Sequence, residues 1–198
     1  MSVRTPQIFV SHSQYDKDIR MPFSEIFAIA GVMPKYMEFE KIFPPAWAEI
    51  KEQIKISEAV FLLLGPNIRR TCFTENWVAF EVGLSCAFGK DVWVFEQISS
   101  NSDFPIPYLT DYMLYNLEIQ NHFDYIRSIM EAYKRPLALL PLGDARTKRK
   151  IPEGITINCT HENCFSIFQL HTDVSNFHCP ICRQYLNRSE NQNNSPTV

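Results

Sequence analysis

Six consecutive apolar residues, Ala59-Val60-Phe61-Leu62-Leu63-Leu64, run directly into Gly65-Pro66. A strand with one wet face alternates apolar and polar side chains, so a run without alternation reads as a strand covered on both faces. Such a strand needs helices above and below its sheet, and the rest of residues 1–135 supplies them. Ile8-Phe9-Val10 precedes an amphipathic stretch from Asp16 to Ala30, and Val32 to Phe39 is a weaker strand. Trp47 to Glu58 predicts a helix with apolar positions at Ile50, Ile54 and Ile56. A second helix is expected from Thr74 to Phe88, then the strand Val92-Trp93-Val94-Phe95. Met113 to Ile119 and a helix from Phe123 to Lys134 close the region. Five strands alternating with helices predict an α/β domain on a five-stranded parallel, doubly wound sheet. No Gly-x-Gly-x-x-Gly and no P-loop occur, which excludes those two phosphate-binding fingerprints.

The cysteines impose the next constraint. Four of the six crowd into the last forty residues as Cys159, Cys164, Cys179 and Cys182, spaced C-x4-C-x14-C-x2-C. Two thiolate pairs separated by a hairpin-length segment can meet around one metal ion, each pair forming a turn. Phe165 to Leu170 between them alternates like a short strand. The tract resembles a zinc ribbon, carried by Cys179-Pro180-Ile181-Cys182, which implies a structural Zn2+ with no open position for water. The first pair departs from that family by its longer spacing, leaving room for His161 or His178 to replace one sulfur. Four unbound thiols are the plain alternative, although so short a segment rarely folds without a staple. Cys72 and Cys86 sit in apolar surroundings and read as core.

These features divide the chain into a domain at 1–135, a linker at 136–150, a small β-rich ribbon at 151–187 and a disordered polar tail at 188–198. The 198 residues carry a net charge of −3, and the pI of about 6.0 argues against nucleic-acid binding by bulk positive charge. Residues 151–198 add only Arg183 and Arg188 against four acidic residues, although Arg146 to Lys150 form a basic cluster in the linker. The longest apolar run is too short to span a bilayer. The first residues lack a signal-peptide pattern, so a reducing cytoplasmic setting is expected.

Chemistry concentrates on the helix Thr74-Glu75-Asn76-Trp77-Val78-Ala79-Phe80-Glu81 and its continuation. From Trp77 to Gly89 the only acidic residue is Glu81, and a carboxylate in such surroundings needs a partner, a cleft or a raised pKa. Trp77 lies one turn earlier on the same side. An aromatic plane beside a lone carboxylate suits a ligand with a flat ring and a sugar. The plain alternative is a core Trp and a Glu bonded to backbone or Arg. Ser11, His12 and Ser13 end the first strand, where ligands bind in open α/β sheets, although Ser13 or Asp16 can equally cap the next helix.

Over residues 6–135 the chain resembles a Toll/interleukin-1 receptor (TIR) domain, which has a flavodoxin-like fold. The matching segments are IFVSHSQYD, FPPAWAEIKEQIKISEAVFLLLGPN and WVAFEVGLSCAFGKDVWVF. The resemblance implies cleavage of the nicotinamide–ribose bond of NAD+, giving ADP-ribose or a cyclic isomer, with Glu81 as the essential residue. It also implies that Trp77 stacks beside the nicotinamide, that Ser11, His12 and Ser13 line the pocket, and that a loop around Phe43 covers it. Self-association through TIR domains and a role in antiviral defence follow from the same resemblance. Gly65 departs from the family, where Ser is common. The extended E-V-G-L-S-C-A-F-G-K also resembles nucleoside 2-deoxyribosyltransferases, which likewise break an N-glycosidic bond. A non-catalytic TIR adaptor is the competing class, although an adaptor has no need of Glu81.

Overall fold

The computed structural model describes residues 5–37, 46–70, 72–100, 111–134 and 151–191. The five expected strands are present as β1 (Gln7–His12), β2 (Met33–Tyr36), β3 (Ala59–Leu64), β4 (Asp91–Gln97) and β5 (Asp111–Tyr115). They alternate with α1 (Lys17–Ala30), α2 (Ala46–Ile56), α3 (Cys72–Ala87) and α4 (Gln120–Ala132). All six residues of β3 are buried, as its unbroken apolar run requires.

The sheet is larger than expected. Among the described residues its order is β2-β1-β3-β4-β5-β7-β6, where β6 (Ile155–Asn158) and β7 (Ile167–Leu170) come from the cysteine-bearing segment. The first five positions follow the doubly wound order of flavodoxin-like folds, all parallel. β7 pairs parallel to β5 through Asp111↔Gln169 and Tyr112↔Leu170, and β6 pairs antiparallel to β7. The expectation of five strands therefore becomes seven: the alternating tract after Cys164 finds its neighbour in β5, 58 residues back. β8 (Asn176–His178) and β9 (Tyr185–Asn187) form a separate antiparallel pair. The first residues assigned to a polar tail instead form α5 (Arg188–Asn191), while 192–198 and the linker 136–150 lie outside the described residues.

The two faces of the sheet carry two apolar layers. Ile8, Val10, Phe61 and Phe95 meet Phe23 and Phe27 of α1 and Ile126 of α4. Phe9, Val60 and Leu62 meet Ile50 and Ile54 of α2 and Val78 and Val82 of α3; this second layer continues into Ile157 and Phe168 of the cysteine segment. Cys86 packs against it, and the Cys72 side chain lies outside the described residues. α1 buries Ile19, Phe23, Ile26, Phe27 and Ala30, one helical stripe, and ends at Gly31 with φ 67°. Among the described residues no helix is long and apolar enough to cross a membrane.

Neither Ser13 nor Asp16 caps α1 by its side chain. The Asp16 carboxylate accepts hydrogen bonds from Asn67 N at 3.2 Å and Asn67 Nδ2 at 2.8 Å, while Ser13 Oγ donates to Asn67 O at 3.3 Å. Both therefore tie the β1–α1 loop to the loop after β3. The contact is so close that a Cβ on Gly65 would lie 2.4 Å from the Asp16 carboxyl and 2.5 Å from Ile19 Cδ1. This gives a physical reason for glycine where the resembling family often has serine. Gly65→Ala should lower stability by about 1–3 kcal/mol, the usual cost of overpacking, read as an earlier midpoint in urea unfolding with an unchanged slope.

Candidate functional site

Among the described side chains of α3 the buried positions are Val78, Glu81, Val82 and Ser85, a single stripe at helical spacing that faces the sheet. Glu81 thus stands in the middle of an apolar contact surface and is 3% exposed. Its partner comes from β1: Ser11 Oγ donates a short hydrogen bond to Glu81 Oε2. Burial raises the Glu81 pKa from an ordinary 4.5 to about 7, against the Ser11 hydrogen bond, which lowers it. Ser85 Oγ donates to the Glu81 carbonyl at 2.5 Å. No arginine enters these contacts; the carboxyl group is held by a hydroxyl and can exchange a proton near neutral pH.

Trp77, one turn earlier, is half-buried and meets Phe80 edge-to-face at 5.6 Å between ring centroids. With Asn76 and Trp47 of α2 these rings line an open recess of about 370 Å³. Trp47 and Phe80 are 53% and 41% exposed, which is unusual for such large apolar side chains. Their sequence signal was slight: Trp47 opens an otherwise ordinary amphipathic helix.

The other expected pocket residues divide. Successive strand side chains point to opposite faces, so Ser11 faces α3 while His12 turns away, its ring 5.3 Å from that of Tyr36. His12 Nδ1 lies 3.0 Å from Ser13 O. Ser13 is engaged with Asn67 and with Tyr15 N, which donates to its Oγ at 3.2 Å. Phe43 lies outside the described residues. Of the sequence-derived group, Ser11 and Glu81 touch, and Trp77 lies one turn before Glu81 beside Phe80.

The four clustered cysteines do converge. Cys159, Cys164, Cys179 and Cys182 place their sulfurs within 4.8 Å of one another, with Sγ···Sγ distances of 3.6 Å (Cys159–Cys182) and 3.8 Å (Cys164–Cys179). A tetrahedron of sulfurs around zinc has edges of about 3.8 Å, so the donor set fits a metal ion without rearrangement. The two turns are built alike despite their different spacing. Cys159 N donates to Ser166 O at 2.9 Å and Cys179 N to Gln184 O at 2.8 Å, in each case two residues beyond the second cysteine. The residue directly after each second cysteine is left-handed, Phe165 at φ 48° and Arg183 at φ 61°. Ile181 N donates to Cys179 Sγ at 3.4 Å, and Ser166 Oγ lies 3.1 Å from Cys164 Sγ. Such donors offset thiolate charge. His161 and His178 are exposed and outside the cluster; the His178 ring packs on Tyr185.

Arg183 carries a second role that the sequence did not signal. Its Nη1 donates to Glu96 Oε2 at 3.2 Å, and the Tyr112 hydroxyl donates to the same oxygen at 2.6 Å. Glu96, near the carboxyl end of β4, is 1% exposed. The residue that closes the second cysteine turn therefore neutralises a carboxylate buried in the sheet.

No protein-family model matches the sequence, and no curated protein does. Among solved structures, a diflavin flavoprotein A3 from Nostoc sp. is similar at a TM-score of 0.44 and 10% sequence identity, over 66% of this chain and 92% of that one.

Two outcomes follow from this geometry. The purified chain should carry one equivalent of metal ion by elemental analysis, and Cys182→Ser should lose it and melt at a lower temperature. Glu81 dictates a pH dependence. Between its unfolded pKa of 4.5 and its folded value of about 7, the folded chain holds a proton that the unfolded chain has released. Stability therefore falls as pH rises through that window, by about 3 kcal/mol in all. Glu81→Gln should remove that slope and be the more stable protein at pH 8 by a similar amount, measured by urea unfolding across the range.

Proposed function

We propose that this chain cleaves the bond between nicotinamide and ribose of NAD+, releasing nicotinamide and ADP-ribose or a cyclic isomer. The observation that carries the reading is the Glu81 carboxyl, buried in the sheet-facing stripe of α3 and hydrogen-bonded by Ser11 from the carboxyl end of β1. A carboxylate in a low-dielectric setting attracts a developing oxocarbenium far more strongly than one in water. NAD+ brings positive charge on its pyridinium ring, and the transition state moves that charge onto the ribose. Either form stabilises ionised Glu81, and the substrate itself thereby draws the proton from a group poised near pH 7. Ser11 keeps the carboxylate oriented, and Trp77 offers a face for the nicotinamide.

Glu81 is covered in the single chain, so access calls for an opening beside α3. The aromatic rings of Trp47, Trp77 and Phe80 border that helix and offer the apolar surface through which copies of the chain would associate. Activation by self-assembly fits this arrangement, and a part in antiviral defence is inferred from the TIR resemblance alone. The four-cysteine centre takes structural Zn2+ in this reading: four thiolates at tetrahedral spacing suit that ion and leave no position for water. Thiolates held this way belong to a reducing compartment such as the cytoplasm. The metal stands apart from the proposed reaction.

The test is nicotinamide release from NAD+ at high protein concentration, followed by chromatography. Glu81→Ala should lower the rate by about two orders of magnitude or more, with the metal content retained and the chain still folded at the assay temperature. Equal release from wild type and variant would refute the reading and leave the adaptor role, which needs the aromatic surface but not the carboxylate. Ser11→Ala should keep some activity and move its rising pH limb to higher pH, because Glu81 loses the hydrogen bond that lowers its pKa.

A further inference from the structure

The contacts that fasten the cysteine segment to the sheet include a second polar array, on the α1/α4 face, opposite Glu81. Asp111, the first residue of β5, is 1% exposed, and its Oδ1 lies 2.6 Å from His171 Nε2. His171 follows β7 and is 4% exposed. Its other nitrogen, Nδ1, lies 2.8 Å from the Tyr125 hydroxyl on α4. A carboxylate at Nε2 fixes the proton of neutral imidazole there, which leaves Nδ1 to accept from the Tyr125 O–H.

The imidazole is held firmly between its partners. The Trp93 ring lies 4.6 Å away between centroids, and Gly154 passes so near that a Cβ there would be 2.8 Å from two His171 ring atoms. Tyr125 is half-buried and lines an open cavity of about 290 Å³, together with Asn121, His122 and Arg188. Residue exposure thus rises from Asp111 to His171 to Tyr125. A buried acid that orients a base, which in turn takes the proton of a hydroxyl facing a cavity, is the arrangement that activates oxygen nucleophiles.

We propose that Tyr125, His171 and Asp111 form a nucleophilic site in this cavity for small uncharged acyl esters. Phosphoryl substrates fit poorly: Glu153 and Asp173 line the same cavity, Asp173 Oδ1 is 3.5 Å from His122 Nε2, and Arg188 Nη1 is engaged with Thr172 O at 3.2 Å. In the step, the Tyr125 oxygen bonds to the acyl carbon and its proton passes to His171 Nδ1. The bond from that carbon to the ester oxygen breaks, and the departing alcohol takes the proton. Water then cleaves the acyl-tyrosine, releasing the carboxylic acid and restoring the hydroxyl.

The probe is p-nitrophenyl acetate, with nitrophenolate release read by absorbance and the acetylated tyrosines, trapped by rapid acid quench before water cleaves them, located by peptide mass mapping. Tyr185 and Tyr15 are 61% and 39% exposed and serve as references in the same molecule. Tyr125 should be acetylated about a hundredfold faster than Tyr185, the low end of what a positioned base contributes, and Asp111→Asn should bring it down to the Tyr185 rate. Labelling in order of exposure, with Tyr185 first, would overturn the proposal on the wild-type protein alone. So would undiminished Tyr125 labelling in folded Asp111→Asn.

Discussion

Both faces of β3 are removed from water, and its six buried side chains can stay so only if the sheet is covered on each side. That desolvation places α1 and α4 on one face and α2 and α3 on the other, and it fixes which strand residues share a layer. The consequence for chemistry is specific. Because α3 must press a continuous stripe onto the sheet, a glutamate within that stripe is buried whatever its own preference. Its environment is then set by the β1 residue of the right parity, Ser11. The raised proton affinity of Glu81 is thus a product of the same apolar pressure that stabilises the fold.

The central elements were legible because their signals are local. An unbroken apolar run, a helical stripe and a four-cysteine spacing each report on a few neighbouring residues, and all three are found. What escaped depends on distant partners. The alternation of Phe165 to Leu170 marks a strand but does not say that β5 is its neighbour, so the joining of β7 and β6 to the sheet is not visible in it. Ser11-His12-Ser13 was read as a cluster, yet adjacent strand residues cannot share a face; parity alone separates Ser11 from His12. Gly65 is explained by Asp16, and Glu96 by Arg183, pairs that no local pattern reveals. The polar composition of 188–191 concealed a helical turn because composition carries no record of the strand that leads into it.

The four-cysteine centre is tied to the sheet through backbone geometry as well as through pairing. Phe165 and Arg183 occupy left-handed conformations that side chains other than glycine's adopt at a cost of about 1 kcal/mol or more. Each is held by the hydrogen bonds that close its turn, and those turns exist to present sulfur. Arg183 is aimed at Glu96 by that same left-handed step. The convergence of the sulfurs and charge balance at the carboxyl end of β4 are therefore one problem with one solution.

The two margins of the sheet are finished differently. At one end β2 is only four residues long and carries Pro34 and Lys35, a missing donor and a charge that discourage another chain from pairing there. At the other end β5 has no such protection: all five of its residues are buried, and Tyr112, Met113 and Leu114 form an apolar centre. What shields it is β7, pairing over its first two residues and backed by the antiparallel β6. The cysteine hairpin is thus an edge guard, and a chain whose hairpin has come loose would present a fresh, apolar template strand open to strand-to-strand aggregation.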